Sequence, residues 1–208
     1  DADYLPDGWK SYMSKSIKEK TGKPCQTSGN IREPEVANRI LEDGEADLIA
    51  IGRGLIADPE WVNKVEFGDE CDIRKCISCN VGCVGNRIGG NKPLRCTVNP
   101  DLINGEAYKK QKVNKPCNVV VVGAGTAGLE AACTAAEVGC TTFLIEKKPE
   151  LGGLAALISK IPDKKRLADF PNYLIHRAEQ LENLYIFTNT EGTPENIRKF
   201  HPNLIVSS

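Results

Sequence analysis

The sequence predicts an α/β protein built on parallel strands, interrupted by an aperiodic, cysteine-rich stretch. Three observations carry this. Residues 23–51 run strand, helix, strand at the spacing of a parallel βαβ unit. Val119 to Val122 lead directly into Gly123-x-Gly125-x-x-Gly128 and an alanine-rich segment, a second strand-to-helix passage. Between the two, residues 69–106 lose all apolar periodicity while gathering five of the nine cysteines.

Composition bounds the function. At 208 residues there is room for one or two domains. The 27 basic and 28 acidic residues leave a net charge of -1 with no basic tract, which argues against a nucleic-acid partner. No apolar run approaches the ~20 residues of a membrane span, and the acidic start Asp1-Ala2-Asp3-Tyr4-Leu5 is no signal peptide. The chain begins without Met and stops after what reads as a core strand, so a piece of a longer protein is expected. The cysteines are odd in number and clustered, unlike a secreted disulfide framework. Metal ligation in a reducing, cytoplasmic compartment is the expectation.

The elements follow in order. Trp9, Tyr12, Met13 and Ile17 recur at spacings of three and four and predict a helix with one apolar face, ended by Gly22. Lys23 to Ser28 is extended and closes on Gly29-Asn30. Pro34 suits a first helical turn, and Val36, Ala37, Ile40 and Leu41 give that helix a buried stripe before Gly44. Asp47 to Ile51 reads as a buried strand running into Gly52-Arg53-Gly54. Lys109 to Lys115 is a polar connector. After the Gly-rich turn, Leu129, Ala132, Cys133 and Ala136 mark a helical face, Thr141 to Ile145 a strand, and Leu167, Phe170, Leu174, Ala178 and Leu181 another helical stripe. Pro171 must start, kink or split that helix. Leu184 to Phe187 and Leu204 to Val206 are further strands.

Cys76-x2-Cys79-x3-Cys83, joined twelve residues later by Cys96, offers four thiolates, three of them in one tight loop. Such crowding suits an iron–sulfur cluster, whose iron corners are spread in space and need one ligand each. Gly82 and Gly85 would let the backbone wrap, and Val81, Ile88 and Leu94 would exclude water. A structural zinc site is the alternative, though zinc more often takes two separated CxxC knuckles; unliganded thiols are a third. Cys71 is a spare ligand candidate. Cys133 and Cys140 fit small buried residues, while Cys25 and Cys117 fall in and before strands.

In the Gly123-Ala124-Gly125-Thr126-Ala127-Gly128 turn, the first glycine makes the bend, the second admits a pyrophosphate, and the third allows close helix–strand packing. Thr126 and Ala127 open the helix whose free amides would face the phosphates. Glu146 closes the next strand, placed to accept hydrogen bonds from a ribose. The Gly152-Gly153 pair resembles a second phosphate motif of flavoproteins that bind two dinucleotides, which favours FAD over NAD. The alternative is a Gly-rich turn with no ligand.

Gly29-Asn30 and Gly52-Arg53-Gly54 sit at strand C-terminal ends with a helix between. In a (βα)8 barrel the loops after the last two strands commonly form a phosphate site. Plain turn chemistry, with Arg53 solvated or paired to Asp58, is the alternative.

Taken together these segments resemble a known family. Gly52-Arg53-Gly54-Leu55-Ile56-Ala57-Asp58-Pro59-Glu60-Trp61 resembles the last strand and loop of Old Yellow Enzyme-type flavin oxidoreductases, and Arg32-Glu33-Pro34-Glu35-Val36-Ala37 the helix before it. The cysteine loop, ending Cys96-Thr97-Val98-Asn99-Pro100, and the Gly-rich segment follow in the order of the branch holding 2,4-dienoyl-CoA reductase, 2-enoate reductase and trimethylamine dehydrogenase. The resemblance implies that residues 1–68 are the last two βα units of a TIM barrel, residues 69–108 an iron–sulfur loop, and residues 109–208 the first half of a Rossmann-type FAD domain. It implies FMN-phosphate positions at Gly29, Asn30, Gly52 and Arg53. It implies [4Fe–4S] ligands at Cys76, Cys79, Cys83 and Cys96, and FAD positions at Gly123, Gly125, Gly128, Glu146 and Gly153. Leu154 departs from the polar residue relatives often carry. The activity implied is electron transfer from NAD(P)H through FAD and the cluster to FMN, reducing an activated C=C bond of a small molecule. An amine dehydrogenase of the same branch, and a non-catalytic electron-transfer module, stay open. No catalytic acid falls within this chain, and His176 and His201 match none. The piece alone is expected to be inactive, and a homo-oligomer is compatible with the sequence.

Overall fold

The computed structural model describes residues 5–103 and 109–208. The acidic start and the last residues of the cysteine-rich stretch, 104–108, lie outside the described residues. The chain divides into two compact units, residues 1–107 and 108–208. Both are α/β with parallel strands.

In the first unit, helix α1 (Ser11–Thr21) ends at Gly22, whose φ of 65° suits glycine. Its buried residues are Ser11 and Ser14, while Tyr12, Met13 and Ile17 are exposed, contrary to the sequence expectation. The Ser14 hydroxyl donates to the Gln26 carbonyl at 3.2 Å, so small side chains bring this helix close to the first strand. That strand, β1 (Gln26–Thr27), pairs in parallel with β2 (Leu48–Ile49) across helix α2 (Pro34–Glu42), with Pro34 in the first turn. Ala37 and Ile40 are buried as expected, with Ile31, Ala46, Trp61 and Ile73. Leu41, on α2, and Leu48, on β2, are instead exposed. Two short helices follow, α3 (Arg53–Ala57) and α4 (Trp61–Phe67).

The cysteine-rich stretch has little regular structure: a 3-10 turn (Glu70–Asp72) and a π-helix (Val81–Gly89). Polar staples and a few buried apolar residues hold it. Buried Asp58 accepts from the Arg74 amide at 2.8 Å and from Lys64 Nζ at 2.7 Å, and the same Lys64 donates to the Asp72 carbonyl. Buried Asn99 donates to the Ile56 carbonyl at 2.9 Å. Ile73, Ile77 and Val98 are buried around these bonds.

The second unit contains β3 (Asn118–Val122), α5 (Thr126–Glu137), β4 (Thr141–Ile145), α6 (Gly153–Ile158), α7 (Asp169–Glu179), β5 (Leu184–Phe187), α8 (Pro194–Arg198) and β6 (Leu204–Ser207). The sheet order is β5-β4-β3-β6, all parallel. Counted from the first strand this is 3-2-1-4, the order of doubly wound sheets, in which ligands bind at strand C-terminal ends where the order reverses. Here that reversal lies beside β3. Leu129, Ala132, Cys133, Leu174 and Ala178 pack α5 and α7 onto β3 and β4. Pro171 sits in the first turn of α7, where its missing amide costs nothing.

Two features of this unit were absent from the sequence reading. Arg177 on α7 pairs with Glu130 at 2.9 Å and with Glu137, which also takes Lys110 from the connector. Cys117 and Cys140, read as unpaired, form a disulfide with Cα atoms 5.1 Å apart. Strand register explains the pairing, since Asn118 lies opposite Thr141 and the two cysteines each precede those residues. Among the described residues no helix is long and apolar enough to cross a membrane.

Candidate functional site

Backbone chemistry builds the approach of the cysteines to one another. Arg95 N–H donates to the Gly82 carbonyl at 2.8 Å, drawing the π-helix against the segment before Cys96. Only glycine permits this: a Cβ on Gly82 would lie 2.6 Å from the Arg95 carbonyl oxygen. Asn80, at a φ of 58°, turns the chain into the π-helix and accepts from the Gly85 amide at 2.8 Å. Cys76, Cys79, Cys83 and Cys96 consequently line one small cavity, of about 10 Å³, with Arg53, Ile56, Ile77 and Val98. Its apolar wall is Ile56, Ile77 and Val98. Val81 and Ile88, expected as the shield, are 67% and 80% exposed, because the π-helix turns them outward. Cys71 does not line the cavity and is exposed.

Hydrogen bonds are already aimed at the sulfurs. The Ser78 amide donates to Cys76 Sγ at 3.4 Å, and the Val98 and Asn99 amides reach Cys96. Burial pushes both thiols up, while these amides, and Arg53 beside Cys76, pull the other way. Four cysteines lining one site with an apolar wall and amide donors are the donor set a [4Fe–4S] cluster takes, whose potential such bonds tune. Among the described residues no three His, Cys, Asp or Glu side chains converge tightly enough to close on one ion.

A second cavity of the same unit, about 280 Å³, is lined by Gly29, Asn30, Arg32, Gly52, Arg53, Gly54, Cys76 and Ser78. All four sequence candidates for phosphate contact thus share one wall. Arg53 is not paired to Asp58, which is occupied by Lys64 and Arg74. Its guanidinium instead donates to Asn30 Oδ1 and, at 2.5 Å, to Asn80 Oδ1. Two further residues were missed from sequence. Buried Arg32 bonds Asp7 at 3.1 Å and the Cys76 carbonyl at 3.2 Å, tying the cavity to the cysteine segment. Ser78 is buried with a φ of 54°. A lone Arg and a lone Ser carry no sequence signal for such roles.

In the second unit a cavity of about 580 Å³ opens at the C-terminal ends of β3 and β4. Gly123, Gly125, Thr126, Ala127, Glu146, Gly153 and exposed Leu154 line it. Each glycine has a distinct steric reason. Gly123 bends at a φ of 99°. A Cβ on Gly128 would sit 1.8 Å from the Gly123 carbonyl oxygen, so close helix–turn packing requires glycine there. A Cβ on Gly125 would meet nothing within 4 Å, leaving open space where a ligand phosphate could approach. Gly152 bonds the Ala124 carbonyl at 2.8 Å, and Gly153 packs where its Cβ would lie 2.8 Å from Gly125 Cα. The Glu146 carboxylate accepts from the Ala124 amide at 2.7 Å and the Lys148 amide at 2.9 Å. Burial works against its charge, but these amides prevail and hold it below the ordinary carboxylate range, ionised at the rim of the cavity. This cradle fits a dinucleotide pyrophosphate with a ribose beside an acid.

Comparison with known proteins bears on both units. Residues 4–71 match the NADH:flavin oxidoreductase / NADH oxidase family, and residues 118–180 match the FAD dependent oxidoreductase family. An NADH oxidase of Thermoanaerobacter brockii is 48% identical over 80% of this chain and 26% of its own length. A 2-naphthoyl-CoA reductase solved with 2-naphthoyl-CoA superposes with a TM-score of 0.94 at 29% identity, over 100% of this chain and 32% of that one. Histamine dehydrogenase from Rhizobium sp. 4-9 gives 0.91 at 28% identity, over 100% of this chain and 31% of that one. The chain therefore spans about a quarter to a third of the length of these relatives.

Proposed function

This chain belongs to the NADH:flavin oxidoreductase / NADH oxidase family, and from that premise we propose that it is the part of a flavin- and iron–sulfur-dependent oxidoreductase that joins two flavin sites through a cluster. The first unit is read as the C-terminal strands of a TIM barrel, with Gly29, Asn30, Gly52 and Arg53 holding the phosphate of FMN. Cys76, Cys79, Cys83 and Cys96 would ligate a [4Fe–4S] cluster. The second unit is read as the first half of a Rossmann-type domain, with Gly123, Gly125, Thr126, Ala127, Gly128, Gly152 and Gly153 receiving the FAD pyrophosphate and Glu146 its ribose.

When bound, the flavins supply hydride and single-electron chemistry and the cluster relays single electrons, so that NAD(P)H can reduce an activated C=C bond of an enoate or enoyl-CoA type. The protein's own contribution is placement and charge. Arg53 supplies a cation to a phosphate, and the first amides of α5 face the cradle with the positive end of the helix dipole. Ile56, Ile77 and Val98 keep water from the sulfurs, and the Ser78, Val98 and Asn99 amides stabilise them as thiolates.

The observation that carries this reading is that four cysteines separated by up to twenty residues line one cavity beside a phosphate-suited pocket. Anaerobically purified protein should contain iron and acid-labile sulfide, and Cys79→Ser should remove most of both; stoichiometric zinc without sulfide would falsify the assignment. The similarity to histamine dehydrogenase favours a second reading, oxidation of an amine with electrons running outward. NADH-dependent reduction of an enoyl thioester, against amine-dependent reduction of an artificial acceptor, by the full-length protein separates the two.

A further inference from the structure

Arg53 is shared by two cavities of the first unit: it lines the phosphate-suited pocket and also the cysteine cavity. Its guanidinium divides its hydrogen bonds in the same way. One nitrogen donates to Asn30, on the phosphate side, and another to Asn80, which lies between Cys79 and Cys83. Asn80 in turn holds the entry to the π-helix through the Gly85 amide. Cys76 also lines both cavities.

We propose that Arg53 is a positioning residue that couples the two cavities, so that a phosphate monoester bound in the first lowers the reduction potential of a cluster held by Cys76, Cys79, Cys83 and Cys96 in the second. This rests on the cluster reading above. The cause is electrostatic. Reduction adds one electron and one negative charge to the cluster, with no bond made or proton taken up. A half-buried guanidinium beside it, screened less than a surface charge, favours the reduced form. A phosphate competes for the same planar fork of donors. Its arrival neutralises the cation and draws the guanidinium from Asn80, so the reduced form loses support. Linkage makes the effect reciprocal: a reduced cluster weakens phosphate binding by the factor by which phosphate disfavours reduction.

The experiment is a potentiometric titration of the anaerobically reconstituted protein with dithionite, followed by electron paramagnetic resonance in phosphate-free buffer. It is repeated with inorganic phosphate and with FMN. Both probes should lower the potential, by about tenfold in the one-electron equilibrium, or about 59 mV. Arg53→Met should start at the lower potential and respond to neither probe. Arg53→Lys, keeping the charge without the fork, should start near wild type and shift less. A shift with FMN but none with inorganic phosphate would assign the effect to the flavin ring and overturn the proposal. An unchanged wild-type potential with both probes would overturn it without any variant, so a misfolded variant does not shield it. Protein that takes up no iron and sulfide would overturn the cluster reading and this inference together; a loaded cluster with an unmoved potential would overturn this inference alone.

Discussion

Gly125 and Gly128 stand three residues apart in one turn, yet alanine should cost stability at Gly128 and ligand binding at Gly125. In an ordinary helix, alanine for glycine stabilises by about 1 kcal/mol, so Gly128→Ala in α5 would stabilise if space allowed. Space does not allow it. The new Cβ would lie 1.8 Å from the Gly123 carbonyl oxygen and 2.7 Å from Ser208 Oγ. Carbon and oxygen need more than 3 Å, so turn and helix must part by over an ångström, and the first obstacle is backbone that no rotamer change can move. Overpacking of this kind costs about 1–3 kcal/mol. A net loss of about 1 kcal/mol in a domain of this size lowers the melting temperature by roughly 4–8 °C. At Gly125 the Cβ meets nothing within 4 Å, and its φ of -72° suits any residue. Gly125→Ala should therefore melt with wild type while binding FAD more weakly, since the methyl group occupies the approach of the pyrophosphate. Thermal unfolding by circular dichroism and FAD titration by fluorescence quenching measure both quantities. If Gly125→Ala lost as much stability as Gly128→Ala, or bound FAD as wild type does, the open face of the turn would not be the ligand cradle.

The same steric contrast applies to the cysteine loop. Gly82→Ala, whose Cβ would lie 2.6 Å from the Arg95 carbonyl oxygen, should lower iron and sulfide content, whereas Gly89→Ala, with nothing within 4 Å, should not; equal content in both would refute the role given to Gly82. In the second unit, burial raises the Glu137 pKa, but hydrogen bonds from Arg177 and Lys110 outweigh it and hold the group below its ordinary 4.5. A depressed folded value contributes stability that is present above the unfolded pKa and is lost as pH falls through the folded one. Unfolding midpoints should thus fall as pH drops below about 4.5. Arg177→Met should flatten that limb and cost about 2 kcal/mol at neutral pH, less than a fully buried pair because the glutamates stay a quarter exposed; an unaltered acid limb in the variant would count against the network. The Cys117–Cys140 bond closes a loop with a sequence separation of 23, which chain entropy values at roughly 3 kcal/mol. Cys117→Ser should lower the unfolding free energy by up to that amount, and alkylation before reduction should leave both cysteines unlabelled; labelling of both would exclude the bond.

Sequence revealed most where a position tolerates one residue type. Gly123 and Gly128 could be read directly, since each answers a local steric demand, and the spacing of Cys76, Cys79, Cys83 and Cys96 foretold the one cavity that they line. The second unit's strands were legible too, because Val119 to Val121 are buried in the centre of a sheet and read as an unbroken apolar run. Periodicity failed on α1, where it located an apolar face but not the partner; the helix rests on Ser11 and Ser14 instead. Apolar character alone was no guide at Val81 and Ile88, because the π-helix that carries them leaves both exposed. Pairings set by tertiary register, Cys117 with Cys140 and Arg53 with Asn80, left no mark in local pattern.

The bond between Cys117 and Cys140 also changes what the second unit is as a topological object. It lies at the N-terminal ends of β3 and β4, while the glycine turn lies at their C-terminal ends, so residues 117–140 form a closed covalent ring that carries the turn and all of α5. A protease that cut once anywhere inside the ring would release nothing. The nicked chain would migrate as one species on a denaturing gel until reductant was added, and the severed strand would stay tethered beside its neighbour, able to re-form its ladder as an intramolecular event.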